Sequence, residues 1–405
     1  MKYSDYKKRV PDQLREITIF RGAGIKPHGK AVFGFGLAEQ VGEEAIRLGG
    51  RNVLLVTHPT ITKLGLHEVV VASMKRAGMS CDIFDKVDAE PSVESARTLE
   101  EVVRRKGYDL IVGLGGGSAL DMAKAAALCT GNREGVDQFL DGTPVTGEGS
   151  PLILLPTTAG TGSEISPFIV LKDGDKKRFF GTPYAYATVA MIDPMLTVTM
   201  PPRVTAATGL DALTHGVEGA IAKRDAYTEA LSGKCTELVF GYLPRAYKDG
   251  EDLDARYHMS FASLLGMMAY SQAGGLYAHS ISYILTMSHQ IPHGIGCGIA
   301  LPYTLLFNEP HIRPLLVRFA QAINLGTGKI RANGTFVTIR RFHKLLKTLE
   351  VPVSLCELGV EKSMKDTFIR ELMDIYPRPR NPRKMTCEDA DNLFNAMWCG
   401  TVRTL

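Results

Sequence analysis

Four residues in the second half of the chain carry side chains suited to holding a metal ion. In GLDALTHGVEGA (209–220), Asp211 and His215 stand four apart, so on a helix they share one face and can grip one ion. Downstream, LYAHSISYILTMSHQIPHGIG carries His279 and His293, fourteen residues apart. One carboxylate and three imidazoles form a donor set for a divalent first-row ion such as iron(II) or zinc. Both later histidines fall in Tyr257–Asn308, a stretch with no Asp, Glu, Lys or Arg. A buried imidazole there needs a polar partner, and a metal ion supplies one. Singly, each piece has a plainer reading: a hydrogen-bonded core histidine, or a surface helix pair. Together they point to a metal centre.

Two further segments suit a phosphate-bearing ligand. GLGGGS (113–118) includes Gly115, Gly116, Gly117 and Ser118 and follows the apolar run Asp109–Leu114. Glycines at such a turn let backbone N–H groups approach a pyrophosphate, and the start of the next helix adds partial positive charge. The full GxGxxG fingerprint is absent, and a glycine-rich turn alone says little. PTTAGTGSE (156–164) also follows a strand-like run and packs Thr157, Thr158, Thr161 and Ser163 beside two glycines. In an open parallel sheet, two such loops at strand C-terminal ends meet at one crevice.

The elements that must position these residues divide near residue 200. Before it, β-rich runs alternate with helical patterns: strands at Asn52–His58, Cys81–Val87, Asp109–Leu114 and Pro151–Pro156, and helices near Thr62–Ala77 and at Ser92–Lys106, with Ser92 as N-cap and Gly107 as stop. This alternation predicts a parallel α/β sheet. After Met200-Pro201-Pro202 the pattern is helical: Thr205–Ala222, Ala226–Leu243, Tyr257–Leu285, Leu315–Ile323, Thr335–Leu349 and Glu388–Met397. The expected organisation is a Rossmann-like α/β domain at 1–200 and an all-α domain at 201–405.

Composition excludes several classes. A net charge of +4 in 405 residues is too mild for nucleic acid as main partner. The basic cluster Arg378, Arg380, Arg383 and Lys384 reads as a solvated Pro-rich loop. The seven cysteines are scattered with no CxxC pair, which fits a reducing compartment, the cytoplasm. The charged N-terminal segment has no apolar signal region. Met259–Ala278 has the length of a membrane span, but its serines, Gln272 and paired glycines favour the buried centre of a helical domain.

The motifs GGGSALDMAK (115–124), PTTAGTGSE (156–164), AMIDPMLT (190–197), GLDALTHGVE (209–218), the histidines at 279 and 293, and NPR (381–383) occur in an order and spacing that resemble the iron-containing (group III) alcohol dehydrogenase family over nearly the whole chain. The resemblance implies the dehydroquinate synthase-like fold of that family, with a dinucleotide-binding N-terminal domain, a helical metal-binding domain and an active site in the cleft between them. It implies that Asp211, His215, His279 and His293 hold the metal. Gly116, Gly117, Ser118 and Asp121 match the pyrophosphate loop. Thr157, Thr158, Thr161 and Lys177 match further cofactor contacts, with Leu196 bordering the adenine. The implied reaction is metal-assisted hydride transfer between NAD(P)(H) and a small alcohol or aldehyde, in a homodimer or larger homo-oligomer.

Three positions depart from the family pattern. A second histidine, thought to relay the proton, often follows four residues after the one matching His279; here that position is Tyr283, which leaves the tyrosine, His289 or water for the role. The strand at 52–58 often ends in an Asp that binds the ribose diol of NAD; here it ends in His58, which removes repulsion against a 2′-phosphate and predicts that NADP(H) is tolerated or preferred. Glu90 stands where relatives commonly carry Asn, facing either cofactor or solvent. The HSISY form also resembles a minority of relatives acting on phosphonate aldehydes, so the substrate is a simple or an anionic aldehyde. A hydroxyacid–oxoacid transhydrogenase on the same scaffold is the alternative enzyme, and a non-catalytic binding protein is a third reading.

Overall fold

Runs of Val, Leu and Ile that are apolar on both faces belong in the middle of a parallel sheet covered by helices on both sides. The structure, a computed structural model, describes residues 2–20, 29–324 and 327–402, with only the backbone described for 327–334. Its described residues separate into two compact units: Met1–Met200 with Gly250–Ser260, and Pro201–Asp249 with Phe261–Leu405.

Among the described residues, the first unit holds nine strands: β1 (Thr18–Phe20), β2 (Lys30–Phe33), β3 (Asn52–Thr57), β4 (Ser80–Phe84), β5 (Leu110–Gly115), β6 (Leu152–Pro156), β7 (Phe168–Asp173), β8 (Lys176–Gly181) and β9 (Val189–Ile192). Seven form one sheet in the order β1-β2-β9-β6-β5-β3-β4, and every pairing except β1–β2 is parallel. β5 and β6 are buried along their whole length. Val53, Leu55, Val112 and Leu155 pack with Val70, Met74 and Leu196 in one core. Each fully buried Leu or Val contributes roughly 1.5–3 kcal/mol relative to exposure.

The helices of this unit are α1 (Tyr3–Lys8), α2 (Val41–Arg47), α3 (Pro59–Lys63), α4 (His67–Arg76), α5 (Val93–Lys106), α6 (Gly117–Gly131) and α7 (Val136–Leu140). Ser92 caps α5 by accepting the Ser95 amide at 3.0 Å, and Gly107 ends it with φ 62°, as the sequence predicts. The antiparallel hairpin β7–β8 is not anticipated. Its signal is the Gly174-Asp175 pair, the two-residue turn between Asp173 and Lys176, with Gly174 at φ 61°.

The second unit is helical: α8 (Pro202–Lys223), α9 (Ala226–Lys248), α10 (Leu253–Ala273, whose first residues belong to the first unit), α11 (Tyr277–His289), α12 (His293–Ala322), α13 (Thr327–Thr348), α14 (Lys365–Arg370) and α15 (Cys387–Cys399). Two helices read as continuous are each broken in two. Thr62–Ala77 resolves into α3 and α4, and Tyr257–Leu285 into α10 and α11. Both breaks fall on a glycine with positive φ, Gly65 (73°) and Gly274 (82°), a conformation that ends a helix. Conversely, Leu315–Ile323 is the end of the longer α12.

A single boundary at residue 200 is too simple. Gly250–Ser260 belongs with the first unit because fully buried Arg256 donates to the carbonyls of Gly250 and Met200. Leu253 also packs with Tyr6, Val10, Phe35 and Met195. The charge-free stretch lies in α10–α12 and is largely buried, and no described helix is long and apolar enough to cross a membrane.

Candidate metal centre and nucleotide loops

The helical pattern of 205–222 places Asp211, His215 and Glu218 along one buried face of α8. α12 reaches that face through a small residue: a Cβ on Gly294 would lie 1.8 Å from the Ala207 carbonyl oxygen. Only glycine permits this approach, and it brings the neighbouring His293 to α8. The Nε2 atoms of His215, His279 and His293 lie 3.8, 3.8 and 3.6 Å from Asp211 Oδ1. The His215 and His279 rings stack at 4.8 Å, and Tyr270 stands edge-on to His215 at 4.6 Å.

Two bonds fix the ring orientations. Glu218 accepts the Leu276 and Ala278 amides at 2.6 and 2.8 Å, capping the start of α11, and pairs with His279 Nδ1 at 2.7 Å. Ser282 donates to the His293 carbonyl at 2.6 Å, so its oxygen accepts the proton of His293 Nδ1 at 2.7 Å. With Nδ1 protonated, Nε2 of His293 is a lone-pair acceptor. Burial and the neighbouring His215 hold the His279 imidazole well below its ordinary pKa. Burial works against ionisation of Asp211, but the three histidines outweigh it and hold its carboxyl below the usual range.

Asp211 Oδ1 and His279 Nε2 are both buried without a hydrogen-bond partner. Facing acceptors with nothing between them cost free energy unless a cation lies there. The donors therefore fit a divalent ion. Sequence reading passed over Cys297, yet Asp211, His279, His293 and Cys297 offer donor atoms all within 4.8 Å of one another. Cys297 Sγ lies 3.6 Å from His293 Nε2. Two donors of a tetrahedral ion at about 2.1 and 2.3 Å are separated by about 3.6 Å. Cys297 follows His293 by four residues on α12, so the spacing that flagged Asp211 and His215 could have found it. Glu218 was legible in the same way, three residues after His215.

Tyr283 lies one turn after His279 on α11, with its ring stacked on His293 at 5.3 Å. Burial, partly opposed by Arg378, pushes its phenol up to about 12. His289 stands at the end of α11, held by Ser288, outside the donor cluster. The loop at 378–384 is not the solvated loop the sequence suggests. Arg378 donates to Ser280, Arg380 to the Ala273 carbonyl, and Arg383 to the Phe307 carbonyl and Asp389.

In the first unit the two glycine-containing loops do meet. They leave the ends of the adjacent parallel strands β5 and β6, and the Thr157 amide donates to the Gly115 carbonyl at 2.9 Å. A Cβ on Gly117 would lie 2.9 Å from the Thr161 side chain, and one on Gly116 3.4 Å from Thr158. Gly116 is the N-cap of α6, so the first amides of α6, at Gly117 and Ser118, have no partner within the helix. Ser118 Oγ donates to the Ala89 carbonyl at 2.6 Å.

The other residues expected at the cofactor make contacts within the unit. Asp121 accepts Lys124, Ser163 and the Val170 amide, which ties α6 to the second loop and to β7. Lys177 pairs with the exposed Glu90. Leu196 is fully buried among core side chains. His58 caps α3 by accepting the Thr60 amide at 3.0 Å, and burial lowers its pKa. Thr62 contacts Asp85 at 3.3 Å, so a carboxylate stands near the strand end that lacks one at 58.

Residues 27–194 match the family model described as iron-containing alcohol dehydrogenase, and 205–398 match its C-terminal domain. Long-chain-alcohol dehydrogenase 1 of Geobacillus thermodenitrificans is 30% identical over 91% of this chain and 95% of its own. The crystal structure of 1,3-propanediol oxidoreductase superposes with a TM-score of 0.88 at 29% identity, over 94% of this chain and all of that one. Sulfoacetaldehyde reductase from Bifidobacterium kashiwanohense, solved in complex with NAD+, superposes with a TM-score of 0.82 at 26% identity, over 93% and 98%. The chain belongs to the iron-containing alcohol dehydrogenase family. It is a metal- and nicotinamide-dependent oxidoreductase acting on CH–OH groups.

Proposed function

We propose that the chain reduces a small aldehyde with NAD(P)H at a metal held by Asp211, His215, His279 and His293. The observation that carries this reading is the buried pair of unpartnered acceptors, Asp211 Oδ1 and His279 Nε2. A divalent ion held there would supply Lewis acidity toward the substrate oxygen, and a bound nicotinamide would supply the hydride. Glu218 and Ser282 keep the Nε2 lone pairs of His279 and His293 aimed inward. The Tyr283 hydroxyl, beside His293, passes the proton to the product oxygen. The α6 N-terminus with Gly116, Gly117 and Ser118 receives the pyrophosphate, and Thr158 and Thr161 flank it.

His58 supports tolerance of NADP(H), and the nearby Asp85 supports retained use of NAD(H). A homo-oligomer belongs to the same reading: among the described residues β1 is an edge strand, paired on one side only. The test is oxidation of NADPH and NADH against short uncharged, sulfonate- and phosphonate-terminated aldehydes, with enzyme loaded anaerobically with iron(II) or zinc. Turnover of any one group supports the reductase. Silence across the panel, with metal and nucleotide bound, overturns it.

A further inference from the structure

Within the helical unit, one cation near the donor cluster is held in place without being neutralised. Arg378 is half-buried, and its Nε donates to Ser280 Oγ at 2.6 Å. Ser280 is fully buried and itself fixed by donating to the Tyr376 carbonyl at 2.8 Å. The guanidinium carbon lies 5.9 Å from the centre of the Tyr283 ring, which stacks on His293. Two ring contacts of 5.9 and 5.3 Å therefore lead from the guanidinium to a metal donor.

Among the described residues no carboxylate stands at ion-pair distance from Arg378, and its Nη groups have no protein acceptor. Arg383 on the same loop, by contrast, is neutralised by Asp389 at 2.6 Å. The nearby Glu218 is already occupied by two amides and His279. A guanidinium fixed through Nε presents its two Nη groups as a fork that matches an oxyanion in two parallel hydrogen bonds. A partly desolvated charge of this kind is costly unless a ligand pairs with it.

We propose that Arg378 binds the anionic end of the substrate. The substrate class is then a short aldehyde ending in a carboxylate, sulfonate or phosphonate. This rests on the reductase reading but deepens it, because an uncharged aldehyde would leave the guanidinium unpaired. The HSISY segment belongs to the same arrangement: Ser280 of that segment holds the arginine and Tyr283 carries it.

The test compares kcat/KM for sulfonate- and phosphonate-terminated two-carbon aldehydes and for succinic semialdehyde with that for propanal. It uses metal-loaded wild type, R378Q and R378K. In parallel, calorimetry measures ethanesulfonate and phosphonoacetate binding to the metal- and NADP+-loaded proteins. In R378Q the anionic-to-uncharged ratio of kcat/KM falls about 10- to 100-fold, chiefly through KM, and anion binding weakens by a similar factor. R378K restores part of both.

Equal loss on charged and uncharged aldehydes, or anion binding unchanged in R378Q, overturns the proposal and leaves Arg378 a packing residue of α11. If wild type reduces only uncharged aldehydes and binds neither anion, the proposal fails while the reductase stands. If no aldehyde is reduced, the reductase fails, and loss of anion binding in R378Q still decides for Arg378. Metal content and Tm of each variant separate these outcomes from misfolding.

Discussion

Glu218 meets three donors at once, and two of them belong to the backbone. Replacing it with Gln keeps the shape but removes the charge that orients His279. Glu218→Gln is expected to weaken metal affinity about 10- to 100-fold, read by competition with a chelator. His279→Ala is expected to lose metal and activity together; activity persisting in metal-free protein would rule out the metal-assisted scheme. Tyr283→Phe is expected to lower turnover by about 100-fold or more with metal content unchanged, if its hydroxyl carries the proton. That Asp211 and His215 share a face was legible because they stand one helical turn apart. Cys297 and Glu218 obey the same period, four residues after His293 and three after His215, but a single thiol or carboxylate on a helix is common without any ligand role. Leu196 and Asp121 matched a motif, and the structure adds that Leu196 is buried and that Asp121 is hydrogen-bonded within its unit. Spacing reports which residues recur, and not which atoms remain free.

At the scale of elements, the centre depends on how closely α8 and α12 approach. Gly294→Ala must move a Cβ away from the Ala207 carbonyl oxygen, which lies 1.8 Å from its position. The helices separate or strain, at a cost of about 1–3 kcal/mol, and His293 is drawn off Asp211. The expected result is a lower Tm together with weaker metal retention, measured on the same preparation. A fall in Tm with metal binding intact would show that the donors do not depend on this crossing. The strands β3, β5 and β6 and the capped helix α5 were readable because period and caps agree there. The hairpin β7–β8 is not signalled by an apolar run, because its strands are largely exposed or half-exposed, leaving only the Gly174-Asp175 turn to announce it. The helix breaks at Gly65 and Gly274 were missed because an apolar run looks the same whether or not the chain turns within it.

For the molecule as a whole, stability against pH carries a signature of the nucleotide-loop unit. Glu164 is buried, and burial, only partly offset by a backbone hydrogen bond and by Lys124, raises its carboxyl from 4.5 to about 7. A carboxyl with a raised folded pKa favours the folded state while protonated. That contribution is complete below the unfolded value and is lost as pH rises through the folded one. Stability is therefore expected to fall by about 3 kcal/mol between roughly pH 4.5 and 7 on account of this group. Lys124, which faces it, is lowered by its own burial, with Asp121 opposing. Glu164→Gln should flatten this part of the profile in urea unfolding followed at several pH values. An unchanged slope would mean that Glu164 is already ionised, in partnership with Lys124.

The carboxylate of Glu218 also ties metal loading to hydrogen exchange in the backbone. The amides of Leu276 and Ala278, at the start of α11, are shielded only as long as that carboxylate stays on them. An ion on His279 Nε2 makes the Nδ1 proton a stronger donor and pins Glu218 in place. Stripping the metal loosens that grip, so the same two amides should exchange with deuterium faster in metal-free protein than in loaded protein. Mass spectrometry of the peptide spanning them would then count occupied centres without any activity assay.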